Sequence, residues 1–216
     1  MTSNTTTPRP VRNKPVISVY DWSVLWFSNT FVWKCPTKHI LAFYNQHISA
    51  NHLDVGVGTG YFLDQCQFPA PNPRIMLLDI NEVNLQRAAE RIRRYQPATH
   101  QVNVLEPLHL SAPKFDSIGI NYVFHILPGN FMSKAVVFES LKQVLNPGGV
   151  IFGTTILGKN VPQGALARSF LKTYNEKGIF GNAEDTLADL EDVLKEQFHT
   201  YTLQTRGCVA FFTGQT

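Results

Sequence analysis

The chain has 216 residues, 44% hydrophobic and 16% charged, with a formal charge of +3. That size fits one packed domain with little left for a second, and the composition excludes an intrinsically disordered protein. The charge is too slight to argue for nucleic acid, and Arg91, Arg93 and Arg94 read as the outer face of one helix rather than a basic stripe. Three widely spaced cysteines, Cys35, Cys66 and Cys208, show no zinc spacing, so no metal is expected and free thiols in a cytoplasmic, reducing compartment are. Every apolar run breaks well short of about 18 residues, so neither a membrane span nor a signal peptide is expected.

In chain order, residues 1–16, "MTSNTTTPRPVRNKPV", lack an apolar period and read as a disordered or loosely draped arm before a single domain over 17–216. Trp22, Trp26 and Phe27 recur at helical spacing, and Pro36 opens a second helix carrying Ile40, Leu41 and Tyr44. Trp26 and Phe27 are expected in the core. "HLDVGV" and "RIMLLDI" read as strands, the second covered on both faces. Asn81 caps the helix "EVNLQRAAERIRRY". "HQVNVL" and "FDSIGINYVF" are the third and fourth strands, and a helix with Val137, Leu141 and Val144 stops at Pro147-Gly148-Gly149. "VIFGTTIL" is the fifth strand. Helices over about 164–177 and 184–197 and a hairpin, "TYTLQTRGCVAFFT", complete the chain. Alternating strands and helices imply an α/β fold, a parallel sheet covered on both faces with an antiparallel hairpin at one edge.

The stretch "HLDVGVGTGYFLD" follows the first strand, where open parallel sheets bind ligands. A dinucleotide fingerprint, G-x-G-x-x-G, would need its third glycine at Tyr61, which argues against a pyrophosphate. "GTTILGKN" nearly matches a nucleoside-triphosphate loop, but Asn160 has no hydroxyl for magnesium and Pro162 breaks the helix that should follow. The remaining reading is D-x-G-x-G-x-G, Asp54, Gly56, Gly58 and Gly60, with Asp79 closing the second strand.

With "LDVGVGTG", "LLDIN", "NVLEPL", "FDSIGINYVFHILPG" and "LNPGGVIFGT" in order, the chain resembles a class I S-adenosylmethionine (SAM)-dependent methyltransferase of the small, single-domain, small-molecule type. The resemblance implies a Rossmann-like, doubly wound, mostly parallel seven-stranded sheet, with an antiparallel C-terminal edge hairpin and two N-terminal helices over the cofactor site. It implies SAM as cofactor and S-adenosyl-L-homocysteine (SAH) as product. Gly56, Gly58 and Gly60 would let methionine and ribose approach bare backbone, and Asp54 would organise the loop and the ammonium group. Asp79 would accept from both ribose hydroxyls, with Ile80 against the adenine. Asn103 stands where the family usually has an aspartate for the adenine amino group, with Val104 and Leu105 supplying backbone. Asn121 would accept from the ammonium, and Tyr20 would reach the cofactor carboxylate.

Transfer itself would fall near Tyr122 and His125, His125 serving as a general base or lining the pocket. Trp22, Trp33, Phe170, Tyr174 and Phe180 would form a pocket for a flat, largely apolar metabolite, and Tyr174 to Asn182, with Gly178 and Gly181, would act as its lid. The reading is methyl transfer, at oxygen in preference to nitrogen or carbon, in secondary metabolism. The alternative is a methyltransferase-like protein that binds the cofactor yet catalyses a cyclisation or rearrangement. A third is a partner that stabilises another methyltransferase. Partners are expected to be a small-molecule substrate and, optionally, a second copy in a homodimer, with no nucleic acid and no membrane.

Overall fold

The computed structural model describes residues 22–216, so the expected arm and Tyr20 lie outside the described residues. Helix α1 (Trp22–Val32) is wound as a π-helix, a form seldom sustained beyond one turn, and its side chains are described from Phe27 onward. Helix α2 (Thr37–His47) starts directly after Pro36, which has no N–H to leave unpaired. Strands and helices then alternate: β1 (Asn51–Val55), α3 (Tyr61–Gln65), β2 (Arg74–Asp79), α4 (Glu82–Arg91), β3 (Ala98–Gln101), β4 (Phe115–Asn121), α5 (Phe131–Lys134) and α6 (Val136–Gln143). They continue through β5 (Leu145–Ile156), α7 (Ala165–Glu176), α8 (Leu187–Gln197), β6 (Thr200–Arg206) and β7 (Val209–Gln215). No helix among the described residues is long and apolar enough to cross a membrane.

The seven strands form one sheet in the order β3-β2-β1-β4-β5-β7-β6. β1 to β5 are parallel, and β7 lies antiparallel between β5 and β6. This is the Rossmann-like, doubly wound arrangement, with the C-terminal hairpin completing one side. The order turns back between β1 and β4, which opens a crevice at their carboxyl ends. Period-two alternation feeds two cores. Leu53, Val55, Leu78, Ile151 and Phe212 pack with α6 and α8, while Ile75, Leu77, Phe152 and Phe211 pack with α2, α4 and α7.

Local chemistry shifts some boundaries. The third strand ends at Gln101, short of the expected 105, because the Asn103 side chain accepts from the Leu105 N–H (3.2 Å) and turns the chain. α6 ends at Gln143, ahead of the expected stop at Pro147-Gly148-Gly149, which lies inside β5 where the register shifts against β4. Gly153 and Gly158, the glycines of the near-match to a nucleotide loop, serve backbone packing. An added Cβ would lie 2.2 Å from the Ile120 carbonyl oxygen and 1.7 Å from that of Asn182. Phe27 is 39% exposed and lies tilted against Phe31, 5.5 Å between centroids, instead of entering the core. The side chain of Trp26 lies outside the described ones.

One ion pair crosses the first core. Lys134 Nζ donates to Asp185 Oδ2 (2.6 Å) and to the Gly181 carbonyl (3.0 Å), with neither charged side chain exposed. Burial pushes the Lys134 pKa down and that of Asp185 up, and each partner opposes the other's shift. Removing one member leaves an uncompensated buried charge, whereas removing both leaves no buried charge, only the Gly181 carbonyl without its Lys134 donor. Lys134→Met or Asp185→Leu alone should lower unfolding free energy by about 3–5 kcal/mol. The double variant should recover most of that loss in urea denaturation; losses that simply add would assign the effect to packing.

Candidate active site

The loop between β1 and α3 carries three glycines with φ of +68°, +53° and +71° at Gly56, Gly58 and Gly60. These are left-handed values that other residues adopt only with strain. Each also has its own surroundings. A Cβ on Gly56 would fall 2.3 Å from Val123 Cγ2, so the loops after β1 and β4 touch across the crevice. A Cβ on Gly60 would meet Ala88 Cα at 2.9 Å, so α4 packs directly on the loop. Gly58 has nothing within 4 Å of that position, and its space is open to a ligand.

Asp79 ends β2 beside this loop and is buried. Among the described residues only one of its hydrogen bonds is short, from the Asn81 N–H at 2.9 Å. Asn84 Nδ2 lies 3.3 and 3.4 Å from its two oxygens, and the Gly58 N–H 3.4 Å from Oδ2. Burial raises the Asp79 pKa, and these donors pull it back. Its acceptor capacity is therefore largely open to a better donor pair. Ile80 is exposed on the same rim, its carbonyl accepting from Gln101 Nε2 (2.9 Å). Asn103 and Leu105 are engaged with each other, and Asn103 Nδ2 donates to Glu106 Oε1 (3.0 Å); Val104 packs against the core.

At the end of β4, Asn121 accepts from Thr154 Oγ1 (3.1 Å). Tyr122 follows with φ +57°, an uncommon value for an aromatic residue, and donates its hydroxyl to Asn29 Oδ1 (2.9 Å). Burial holds that phenol well above its ordinary pKa. His125 is buried, its Nδ1 without a hydrogen-bond partner among the described residues. Burial, then the Lys134 charge, push its pKa down to about 3.

The expected pocket residues form one continuous ring cluster. Tyr122 meets His125 at 5.5 Å between centroids, His125 meets Phe180 at 4.6 Å, and Phe180 meets Tyr174 at 5.0 Å and Trp33 at 6.0 Å. Phe170 lies edge-on to Trp33 and Tyr174, at 6.3 and 5.4 Å. The Trp22 side chain lies outside the described ones. The segment expected to act as a lid is hydrogen-bonded at its Gly181–Asn182 end. The Gly181 N–H donates to the His125 carbonyl (2.9 Å), and Asn182 Nδ2 donates to the Ile156 carbonyl (2.8 Å). Gly181 is there for close approach, 2.3 Å from a Cβ to the Leu127 oxygen. Gly178, with φ +63° and open space, turns the chain at the end of α7.

A model of the methyltransferase domain matches residues 53–151, from the first glycine strand to the fifth strand. The chain is 37% identical over 203 residues to demethylluteothin O-methyltransferase of Streptomyces thioluteus, covering 94% of this chain and 88% of that one. It is 37% identical over 207 residues to the physcion biosynthesis cluster O-methyltransferase of Aspergillus chevalieri, covering 94% and 91%. The chain belongs to the SAM-dependent methyltransferase family. Its fold matches that of a DhpI–SAH complex with a TM-score of 0.63 at 13% identity, over 91% of this chain and 89% of the other.

In this methyltransferase several site neighbours escaped sequence reasoning. Asn84 stands three residues after the capping Asn81 and faces back to Asp79, a spacing that carried the only local signal. Asn29, which holds Tyr122, and Tyr44, which holds Asp54, sit on the N-terminal helices and had only an apolar period around them.

Two outcomes follow from these surroundings. Gly58→Ala should lower stability by about 1 kcal/mol from backbone strain alone and still abolish measurable SAH binding, because the methyl enters the ligand's space. Gly60→Ala should instead lower the melting temperature further, since Ala88 cannot yield; equal effects on both readouts would contradict the division. His125 takes up its proton in the unfolded chain near 6.5 but in the folded one only near 3. Its contribution to stability is thus complete above the unfolded value and lost as pH falls toward 3, so stability rises with pH across that window. His125→Phe should flatten that acid limb in urea titrations at several pH values, and an unaltered limb would contradict it.

Proposed function

We propose that this enzyme methylates an acidic oxygen, a phenol or carboxylate, on a small, largely apolar or aromatic metabolite of secondary metabolism. One observation carries the reading. The Gly56–Val123 contact joins the glycine cradle to the ring cluster that starts at Tyr122, so both open on one crevice. Both relatives described above are named for oxygen methylation, which supports the acceptor class.

The residues present fit SAM. Gly58 leaves room at bare backbone, and the buried Asp79 carboxylate can exchange its long bonds to Asn84 and Gly58 for those of a diol. When bound, the cofactor supplies an electrophilic methyl group on a sulfonium. Asp79 would hold the ribose, Ile80 and the Asn103–Leu105 turn would border the adenine, and Asp54, the Asn121 backbone and Tyr20 would orient the amino-acid end. The rings from Tyr122 to Phe170 would align the acceptor and exclude water, the main requirement of an in-line displacement.

An acceptor hydroxyl must also lose its proton. His125 is a weak base and the Tyr122 hydroxyl is engaged with Asn29, so neither suits that task. An oxygen that enters already ionised removes the need. Three buried free thiols agree with a cytoplasmic enzyme.

Incubating the protein with SAM and a panel of phenols and carboxylates, then weighing the products, tests the reading. A gain of one CH2 is expected; an unchanged formula would favour the cyclisation or rearrangement alternative. Asp79→Asn should weaken SAH about 10–100-fold in calorimetry without lowering stability near neutral pH, since a buried carboxylate is removed.

A further inference from the structure

The face of β1 turned toward α2 is polar where an apolar run would be expected. His52 is fully buried and Asp54 is 3% exposed, two residues apart on the same face. Tyr44 of α2 donates its hydroxyl to Asp54 Oδ2 at 2.7 Å, and His52 Nε2 lies 3.3 Å from the same oxygen. On its other side, His52 Nδ1 lies 2.8 Å from Ser117 Oγ on β4. Ser117 Oγ in turn accepts from the Ser49 N–H (2.9 Å).

A carboxylate oxygen only accepts, so His52 carries a proton on Nε2 toward Asp54. Ser117 Oγ, besides accepting from the Ser49 N–H, lies 2.8 Å from Ser49 Oγ, which donates to the Asn51 carbonyl (2.9 Å). The Tyr44 hydroxyl and the His52 Nε2–H both point toward Asp54.

The sheet makes room for this contact. Gly119 on β4 faces it, and a Cβ there would lie 3.0 Å from Asp54 Oδ2 and 3.2 Å from His52 Cε1. Phe152 of β5 stacks over the imidazole at 5.9 Å and 29°. Among the described residues both hydrogen bonds to Asp54 fall on Oδ2, two residues before Gly56. That fixes the rotation of the carboxylate and presents Oδ1 independently of the ligand.

We propose that His52, with Tyr44, is a positioning residue for the cofactor. The Ser117–His52 relay and the Tyr44 hydroxyl clamp Asp54 from below, so that the carboxylate meets the amino-acid end of the cofactor without reorganising. The proposal rests on the cofactor reading above. A buried histidine that merely fills the core would matter for stability and not for affinity.

Calorimetric titration with SAH, beside a thermal melt of each full-length variant, separates the two. His52→Leu and Tyr44→Phe should each weaken SAH about 10-fold, the size of a hydrogen bond to a charged group. His52→Gln retains an amide donor toward Asp54 and should return to within about 3-fold of the wild type. Gly119→Ala, which crowds the contact and removes nothing, should also weaken binding. A folded His52→Leu protein with wild-type affinity would overturn the proposal, as would a Gln variant no better than Leu. If His52→Leu does not fold, Ser117→Ala decides: weaker SAH binding supports the relay, and unchanged affinity overturns it. A wild-type protein that binds no SAH would remove the cofactor reading itself, a different result from indifferent variants of a binding protein.

Discussion

The site depends on close approach between two loops that leave neighbouring strands at the turning point of the sheet. Residue 56 can have no side chain, because Val123 from the loop after β4 occupies that volume. The contact fixes where β1 and β4 discharge their chains, and so fixes the distance between the glycine cradle and Tyr122. A methyl transfer needs two ligands aligned end to end, and in the proposed site they would meet across this contact of Gly56 with the Val123 side chain. The parallel pairing of β1 with both β2 and β4 supplies the rigid base beneath it.

Several features of the site oppose folding. Asp79 and Asp54 are buried carboxylates, Tyr122 holds a left-handed backbone, and three glycines lose more chain entropy than other residues would. What offsets them lies elsewhere, in two apolar layers on opposite faces of the sheet. The Lys134–Asp185 pair is different in kind. It adds little net stability over an apolar substitute, but it fixes the Gly181 carbonyl and with it the stretch that carries Phe180. Rigidity of the ring cluster therefore traces to a charge pair in the opposite core.

What could be read in advance was whatever is local. The D-x-G-x-G-x-G spacing, the Asn81 cap and the helical periods of α4 and α8 depend on neighbours within a few residues, and each appears where its pattern places it. What could not be read depends on pairing across the sheet. Gly119 looked like an ordinary strand residue, and only its position opposite His52 and Asp54 shows why a side chain is excluded. Gly178 and Gly181 looked alike as hinge candidates, but one faces open space and the other the Leu127 oxygen. The Asn103 side chain also takes part in a local turn that its place in the family pattern did not reveal. Phe27 joined an apolar period without joining the core, because α1 is not wound with the ordinary helical pitch.

His125 links packing to chemistry. Its ring contacts Tyr122 and Phe180, its carbonyl ties down Gly181, and the nearby Lys134 charge adds to burial in keeping the imidazole neutral. A residue so placed is well suited to shaping a wall and poorly suited to collecting a proton. Burial that would keep the proposed pocket dry for a sulfonium reaction also weakens this imidazole. Exclusion of water and general-base catalysis therefore make opposite demands on His125. In the proposed reading, an acceptor oxygen that enters already ionised would meet both.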